Sequence, residues 1–240
     1  MRPSESEPAT LISPAFRLEA VEVAFGRSGP SRRSALTIDR LEIQRGRSTG
    51  VRGPSGAGKS TLLAALAGLL APITGRIFAD DVDLSRLTPR RLERWRRTKV
   101  GLIFQDFHLV DELSLVENVL LPLRFDRFRI DDAERERAVG LLARLGLADV
   151  ARRVGRLSRG ERQRVAVARA LVRSPEVVLA DEPTASLDPE SATLVADLLI
   201  DHVRDSGACV VIASHDAEVL ARTDATLQLI DGHLVAEGRS

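Results

Sequence analysis

The sequence is poor in several residue types, and each shortage excludes a class of protein. It has no tyrosine and a single cysteine, Cys209, so an internal disulfide is impossible and the thiol is expected to fill the core. The longest apolar stretch, 62–73, is about half of what a membrane span needs, and Gly68 and Pro72 interrupt it. We therefore expect no direct insertion into a membrane.

The balance of the other residues is that of a packed, water-exposed protein. Of 240 residues, 44% are hydrophobic and 29% are charged, and the net charge of +1 gives no general field for nucleic acid. Residues 1–13 are rich in proline, serine and glutamate and lack the features of a secretory signal. We expect a flexible tail there, followed by one domain in the cytoplasm.

Basic residues are almost all arginine, with lysine only at positions 59 and 99. Five arginines and a lysine fall within 89–99, which favours a solvated helix face over a patch for nucleic acid or lipid headgroups. Because arginine is the usual cation of this chain, a lysine at position 59 carries extra weight as a candidate functional residue.

Apolar periodicity predicts an α/β fold. Alternation at 16–25 and 35–44 indicates a small antiparallel sheet, whereas the run 61–70 has the length and composition of a helix. Helical patterning then dominates 106–170.

The second half of the chain predicts a parallel sheet. The short apolar runs 177–180 and 209–213 suit buried strands, and they flank a helical pattern at 189–205. The order strand, helix, strand predicts a right-handed crossover.

A glycine-rich segment matches the pattern G-x-x-x-x-G-K-[ST] at every position. The pattern predicts a loop whose backbone N–H groups bind the phosphates of ATP. Lys59 would neutralise the β and γ phosphates, and the Ser60 hydroxyl would ligate Mg²⁺. The strand expected before it, 47–52, is more polar than a central parallel strand should be. The predicted nucleotide-binding residues here are Gly53, Pro54, Ser55, Gly56, Ala57, Gly58, Lys59, Ser60 and Thr61.

Two carboxylates, Asp181 and Glu182, follow the apolar run at 177–180. Asp181 is predicted to complete the magnesium site, and Glu182 to polarise the attacking water. The alternative is that Asp-Glu-Pro only terminates a strand. The phosphate loop earlier in the chain makes the catalytic interpretation the favoured one.

The segment LSRGERQRVAVARAL, 157–171, places Ser158 and Gly160 just before an amphipathic helix whose positive end would attract an anion. An ordinary capped helix would show the same pattern. The segment resembles the signature of ABC transporter ATPases, LSGGQ in its commonest form, with Arg159 and Glu161 replacing glycine and glutamine. Arg159 either restricts the approach of the backbone to phosphate or adds a charge interaction with the anion.

Other segments resemble further motifs of that family and follow its order. The resemblance implies that Gln105 reaches the metal and the water, and that 186–188 forms the D-loop. It also implies that His215 contacts the γ phosphate and that Phe25 stacks on adenine, where the family usually has tyrosine. Taken singly, each residue has a plainer interpretation as a loop polar residue, a strand-end histidine or a core aromatic.

The resemblance covers about residues 16–238 and implies the ABC ATPase fold. A P-loop NTPase core with an antiparallel β subdomain would comprise 14–105 and 171–240, and a helical subdomain 106–170. The implied catalytic residues are Glu182, His215 and Lys59, and the implied magnesium ligands are Ser60, Gln105 and Asp181.

The family works as a head-to-tail homodimer in its ATP-bound state, so each ATP would lie between the phosphate loop of one chain and the signature of the other. The implied signature contacts are Ser158, Arg159, Gly160 and Glu161. A separate integral-membrane permease would hold the chain at the inner face of the cell membrane.

Residues 100–123 resemble the branch that serves macrolide exporters, lipoprotein release and cell division. Two alternatives to a transport ATPase stay open. One is a nucleotide-gated regulator of a membrane partner that moves no solute. The other is a soluble ABC ATPase acting on nucleic acid, supported only by the arginine run, so no nucleic-acid partner is expected.

Overall fold

The structure is a computed structural model that describes residues 14–25, 33–125 and 129–239; the predicted tail at 1–13 lies outside them. The strands are β1 (Pro14–Phe25), β2 (Arg33–Gln44), β3 (Ser48–Arg52), β4 (Thr74–Ala79), β5 (Val82–Asp83), β6 (Val100–Ile103), β7 (Val177–Asp181), β8 (Cys209–Ala213), β9 (Ala225–Ile230) and β10 (His233–Arg239). The helices are α1 (Lys59–Leu66), α2 (Pro89–Lys99), α3 (Leu115–Arg124), α4 (Asp132–Arg144), α5 (Arg159–Leu171), α6 (Pro189–Ser206) and α7 (Ala217–Leu220).

The ten strands found in the described residues belong to one sheet, in the order β5-β4-β1-β2-β10-β9-β3-β8-β7-β6. The five strands from β9 to β6 run parallel to one another, whereas β1, β2, β4 and β5 pair antiparallel. The predicted α/β class with a mostly parallel core is confirmed. The antiparallel strands are joined to that core by β10, which pairs with both β2 and β9.

The strands of the parallel core separate two hydrophobic clusters. In β7, Val178 and Ala180 pack with α3, α4, α5 and α6, whereas Val177 and Leu179 pack with α1 and the antiparallel strands. Each fully buried valine or leucine side chain contributes about 1.5–3 kcal/mol relative to exposure. The alternation explains why the run at 177–180 is apolar at every position: both faces of the strand are covered.

The polar strand β3 is buried because a distant residue satisfies it. Ser48 and Thr49 are 1% and 4% exposed. The N–H and the hydroxyl of Ser48 both donate to Asp224 Oδ2 at 2.7 Å. A hydroxyl with a carboxylate partner can be buried without a large desolvation cost, so β3 lies centrally, between β9 and β8.

The first helix is shorter than its sequence pattern predicts. The run 61–70 indicated a helix up to Ala71-Pro72, but α1 ends at Leu66. Gly68 adopts the left-handed φ of +64°, and a Cβ there would lie 2.6 Å from the Leu92 side chain. The carbonyl of Gly68 accepts from Arg96 at 3.1 Å, which caps the end of the turn.

The arginine-rich helix α2 lies on the surface and has no fully buried residue. Leu92 and Trp95 form its apolar side, and the Trp95 ring meets Phe16 edge-on at 6.5 Å. Cys209 is buried, and burial raises the pKa of its thiol to about 12, as expected for a core residue. Among the described residues, no helix combines the length and apolar character that crossing a membrane requires.

Candidate functional site

The phosphate loop joins β3 to α1 and is held from two sides. The Lys59 ammonium donates to the Gly53 carbonyl at 2.7 Å and to the Pro54 carbonyl at 3.2 Å. A Cβ on Gly53 would lie 2.3 Å from the Leu229 carbonyl oxygen, so only glycine fits there. The loop therefore turns inward around the lysine and leaves Ser60 exposed in the first turn of α1.

Four parallel strands end at the same edge of the sheet as this loop. Val51 of β3 and Asp181 of β7 both lie opposite Ala213 of β8, while Ile103 of β6 lies opposite Ala180. Side chains that follow these strand ends therefore meet around the loop. The structure brings Lys59, Ser60, Gln105, Asp181, Glu182 and His215 to this edge.

Asp181 contacts the beginning of α1. Its carboxylate accepts a hydrogen bond from the Ser60 hydroxyl and lies within the field of Lys59. Partial burial is the largest influence and raises the pKa of this carboxyl, despite the hydrogen bond and the lysine, which act in the opposite direction. The folded chain thus holds a carboxylate in a place that disfavours its charge.

Asp181→Asn is expected to stabilise the nucleotide-free chain at neutral pH. A carboxyl with a raised pKa favours folding while it is protonated, and that contribution is lost as pH rises from the ordinary 3.8 through the raised value. Asparagine keeps an acceptor for Ser60 and carries no charge. The melting temperature of the variant should exceed that of wild type at pH 8, by an amount that shrinks as the solution is acidified.

Asp188→Asn is the matched control because the shift there has the opposite sign. The pKa of Asp188 is lowered, chiefly by the hydrogen bond from the Ser191 N–H that caps α6. Its carboxylate therefore stabilises the fold above its unfolded pKa and loses that effect as pH falls. Asp188→Asn should melt no higher than wild type at pH 8; equal gains at both aspartates would contradict the burial argument.

Glu182 follows Asp181 directly and has a strained backbone, with a φ of +50°. Its side chain is 13% exposed, and Oε2 lies 2.9 Å from His215 Nδ1. The contact has the distance of an ion pair but not the angle of a hydrogen bond, so this buried Oε2 has no hydrogen-bond donor among the described residues. A buried carboxylate oxygen with spare acceptor capacity can accept a proton from water.

The signature segment caps α5. The Ser158 hydroxyl accepts from the Glu161 N–H at 3.2 Å, while the Glu161 carboxylate accepts from the Ser158 N–H at 2.8 Å. The sequence placed Gly160 before the helix, but α5 begins at Arg159, because this reciprocal capping starts the helix directly after Ser158. Glu161 also pairs with Arg152, so it belongs to the cap rather than pointing freely outward.

Arg159 turns toward its own chain. Its Nε donates to the Ser186 hydroxyl at 2.7 Å, and its guanidinium lies 5.8 Å from the centre of the Phe107 ring. The sequence left two interpretations for this side chain, steric restriction or an interaction with an anion. The structure adds a third: Arg159 ties the signature to the D-loop and to the segment after Gln105.

Phe25 and Gln105 are both exposed. Phe25 ends β1 and is 50% exposed, which leaves an aromatic face available for stacking. Gln105 lies in a bend two residues after β6.

Sequence reasoning missed Gln163. This residue is 3% exposed, and its amide contacts both Glu182 and Ser186. A signal was present, since Gln163 is the polar member of an i, i+3, i+4, i+7 set whose other members, Ala166, Val167 and Ala170, are buried.

Comparison with known proteins identifies relatives that match most of the chain. The family model for the ABC transporter matches residues 36–185. The lipoprotein-releasing system ATP-binding protein LolD of Paramagnetospirillum magneticum is 42% identical over 222 residues, covering 92% of this chain and 97% of the relative. LolD of Legionella pneumophila strain Paris is 40% identical over 209 residues, covering 87% and 92%.

A solved structure shares the fold. The ATP-binding cassette MJ0796, described as a dimer in a post-hydrolysis state bound to ADP and Pi, superposes with a TM-score of 0.87 at 33% identity. The superposition covers 93% of this chain and 98% of that one.

Proposed function

The chain belongs to the ABC transporter family of ATP-binding subunits, and from this premise we propose how its residues hydrolyse ATP and drive a membrane partner. The observation that carries the proposal is the meeting of Lys59, Ser60, Asp181 and Glu182 at one edge of the sheet. In this proposal the loop 53–61 binds the phosphates, and Phe25 stacks on adenine.

The donor set beside the loop fits Mg²⁺ bound with ATP. Ser60 and Asp181 offer a hydroxyl and a carboxylate in mutual contact, both hard oxygen ligands, and Gln105 would add an amide oxygen. No group of three or more histidine, cysteine or acidic residues suited to a metal occurs in the described part of the chain, so phosphate and water would supply the other ligands. When bound, the ion neutralises charge that develops on the phosphates.

Glu182 is proposed to orient the water that attacks the γ phosphate and to accept its proton. Support comes from the buried Oε2, which has no hydrogen-bond donor among the described residues. His215, 2.9 Å away, would offset charge on the γ phosphate together with Lys59.

A second copy is proposed to complete each site. Ser158 is exposed and caps α5, and the positive end of this helix would attract a phosphate of the other chain's ATP. The cassette MJ0796 is described as a dimer, which supports pairing of two copies here. Hydrolysis would then require two chains, each supplying a signature to the other.

The permease is proposed to bind a groove between α2, β6 and α3. This groove has a volume of about 480 Å³, and its lining combines apolar residues such as Phe104, Leu121 and Phe125 with one glutamate and four arginines. Phe125 is 73% exposed, the highest value among the exposed large apolar side chains of the described residues. Gln105 follows Phe104 directly, so a partner in the groove would lie next to the nucleotide site, at the inner face of the cell membrane.

Phe125→Asp tests this surface. The chain would be reconstituted in lipid with a candidate permease, and ATP hydrolysis would be measured with and without that protein. We expect the variant to hydrolyse ATP at the basal rate when alone. Its affinity for the partner should fall about tenfold or more, because the exposed apolar side chain that would anchor the contact is lost.

Val235→Asp is the control, since Val235 is 52% exposed on β10, outside the groove. It should behave as wild type in both measurements. Normal coupling in Phe125→Asp, or equal loss in both variants, would contradict the assignment of the groove.

A further inference from the structure

A buried glutamine on α5 holds the segment that carries Glu182. Gln163 Nε2 donates to the Glu182 carbonyl at 2.8 Å, and its Oε1 accepts from the Ser186 N–H at 3.2 Å. We propose that Gln163 is a positioning residue for hydrolysis, which fixes the direction of the Glu182 carboxylate through the backbone of 182–186. This inference deepens the proposed function and rests on it.

The backbone at Glu182 requires support because its φ of +50° is sparsely populated by residues with a side chain. Its N–H donates to the Ala213 carbonyl at 2.9 Å. Its carbonyl accepts from Gln163 and, at 3.3 Å, from the Ala185 N–H. The peptide groups on both sides of the Glu182 Cα are thus held, and the direction of its side chain is held with them.

A role in packing alone does not account for an amide at this position. Gln163 shares a helix face with Ala166, Val167 and Ala170, so leucine would extend that face without burying a polar group. Instead, the amide matches one carbonyl and one N–H of 182–186, and both of its polar atoms are satisfied. The amide therefore fits the geometry of that segment, which an apolar side chain of the same size could not hold.

The same helix also carries the signature. Ser158 caps α5 little more than one turn before Gln163, and Arg159 binds the Ser186 side chain. Helix α5 therefore contacts 182–186 at two points. In the proposed dimer, the N-terminus of α5 faces the ATP of the other site. Gln163 therefore connects the Glu182 carboxylate of one site, through α5, to ATP binding at the other site.

Gln163→Leu is expected to lower kcat about thirtyfold while KM and the Kd for ATP stay within about threefold, because a displaced carboxylate weakens transition-state stabilisation only. Gln163→Glu keeps an acceptor for Ser186, but its ionised form cannot donate to Glu182. Protonation restores a donor, so its kcat relative to wild type should rise as pH falls from about 8 to about 6. A merely structural residue would not give that pH profile.

Hydrogen exchange makes the test independent of hydrolysis. In the nucleotide-free chain, Gln163→Leu should increase exchange at the Ser186 amide about tenfold, since that N–H loses its acceptor. Asn118→Leu is the control, because Asn118 is another buried amide that holds a loop, through Val110 in front of α3. Asn118→Leu should lower the melting temperature but should not lower kcat selectively at an unchanged KM.

The inference is overturned if Gln163→Leu keeps kcat within about twofold, or if Ser186 exchange does not change. A wild-type chain that fails to hydrolyse ATP would overturn the proposed function instead. If wild type is inactive, hydrogen exchange at Ser186 still tests Gln163. An unchanged rate in Gln163→Leu would refute the positioning role, whereas a raised rate would show that Gln163 holds the backbone of 182–186 without a role in hydrolysis.

Discussion

Glu182→Gln should lower the rate of ATP hydrolysis about a thousandfold while ATP binding stays within about twofold, because the amide cannot take the proton of the attacking water. The substitution keeps size and leaves the Glu182 backbone bonds intact. Binding without turnover should trap two chains around ATP, so size-exclusion chromatography with Mg²⁺ and ATP should show a lasting dimer. Wild type should show this dimer only transiently.

Glu218→Gln is the control for charge near the site. Glu218 is exposed in the first turn of α7, three residues after His215. It should hydrolyse ATP at the wild-type rate. If Glu182→Gln kept more than about a tenth of wild-type activity, another group would have to act as the base, and the assignment of Glu182 would be wrong.

Lys59→Arg should weaken ATP binding about a hundredfold, nearly as much as Lys59→Ala, although it keeps the charge. The ammonium reaches into the loop and bonds to the Gly53 and Pro54 carbonyls. A planar guanidinium is broader and cannot occupy that turn in the same way. Fluorescence titration with an ATP analogue would measure the loss, and circular dichroism would verify folding.

Lys99→Arg is the matched control, since Lys99 is the other lysine of the chain and pairs with Glu176 on the surface. Its ATP affinity should equal that of wild type. ATP affinity within about threefold of wild type in Lys59→Arg would show that any cation suffices in the loop.

Local motifs in the sequence predicted those parts of the fold and site that depend on short segments. The phosphate loop, the strands β7 and β8, and the helix α6 could be predicted because the pattern and the element coincide within about ten residues. The proximity of the residues that follow these strands could also be predicted, because the carboxyl ends of parallel strands lie at one edge of the sheet.

Contacts between distant residues could not be predicted. The polar strand β3 depends on Asp224, 176 residues after Ser48. Arg159 and Gln163 contact Ser186, 27 and 23 residues away, and neither distance follows from any periodicity. The early end of α1 depends on Leu92 and Arg96, which pack at Gly68 only in the folded chain.

The supports of the phosphate loop have a consequence for how the chain is made. Gly53 packs on the Leu229 carbonyl, the Gly232 N–H donates to the Ala57 carbonyl, and Asp224 holds the strand that leads into the loop. At about 5–20 residues per second, a ribosome supplies these partners roughly ten seconds or more after the loop itself. A nascent chain therefore cannot assemble a firm nucleotide site until residues 224–232 have emerged from the ribosome and folded against the loop.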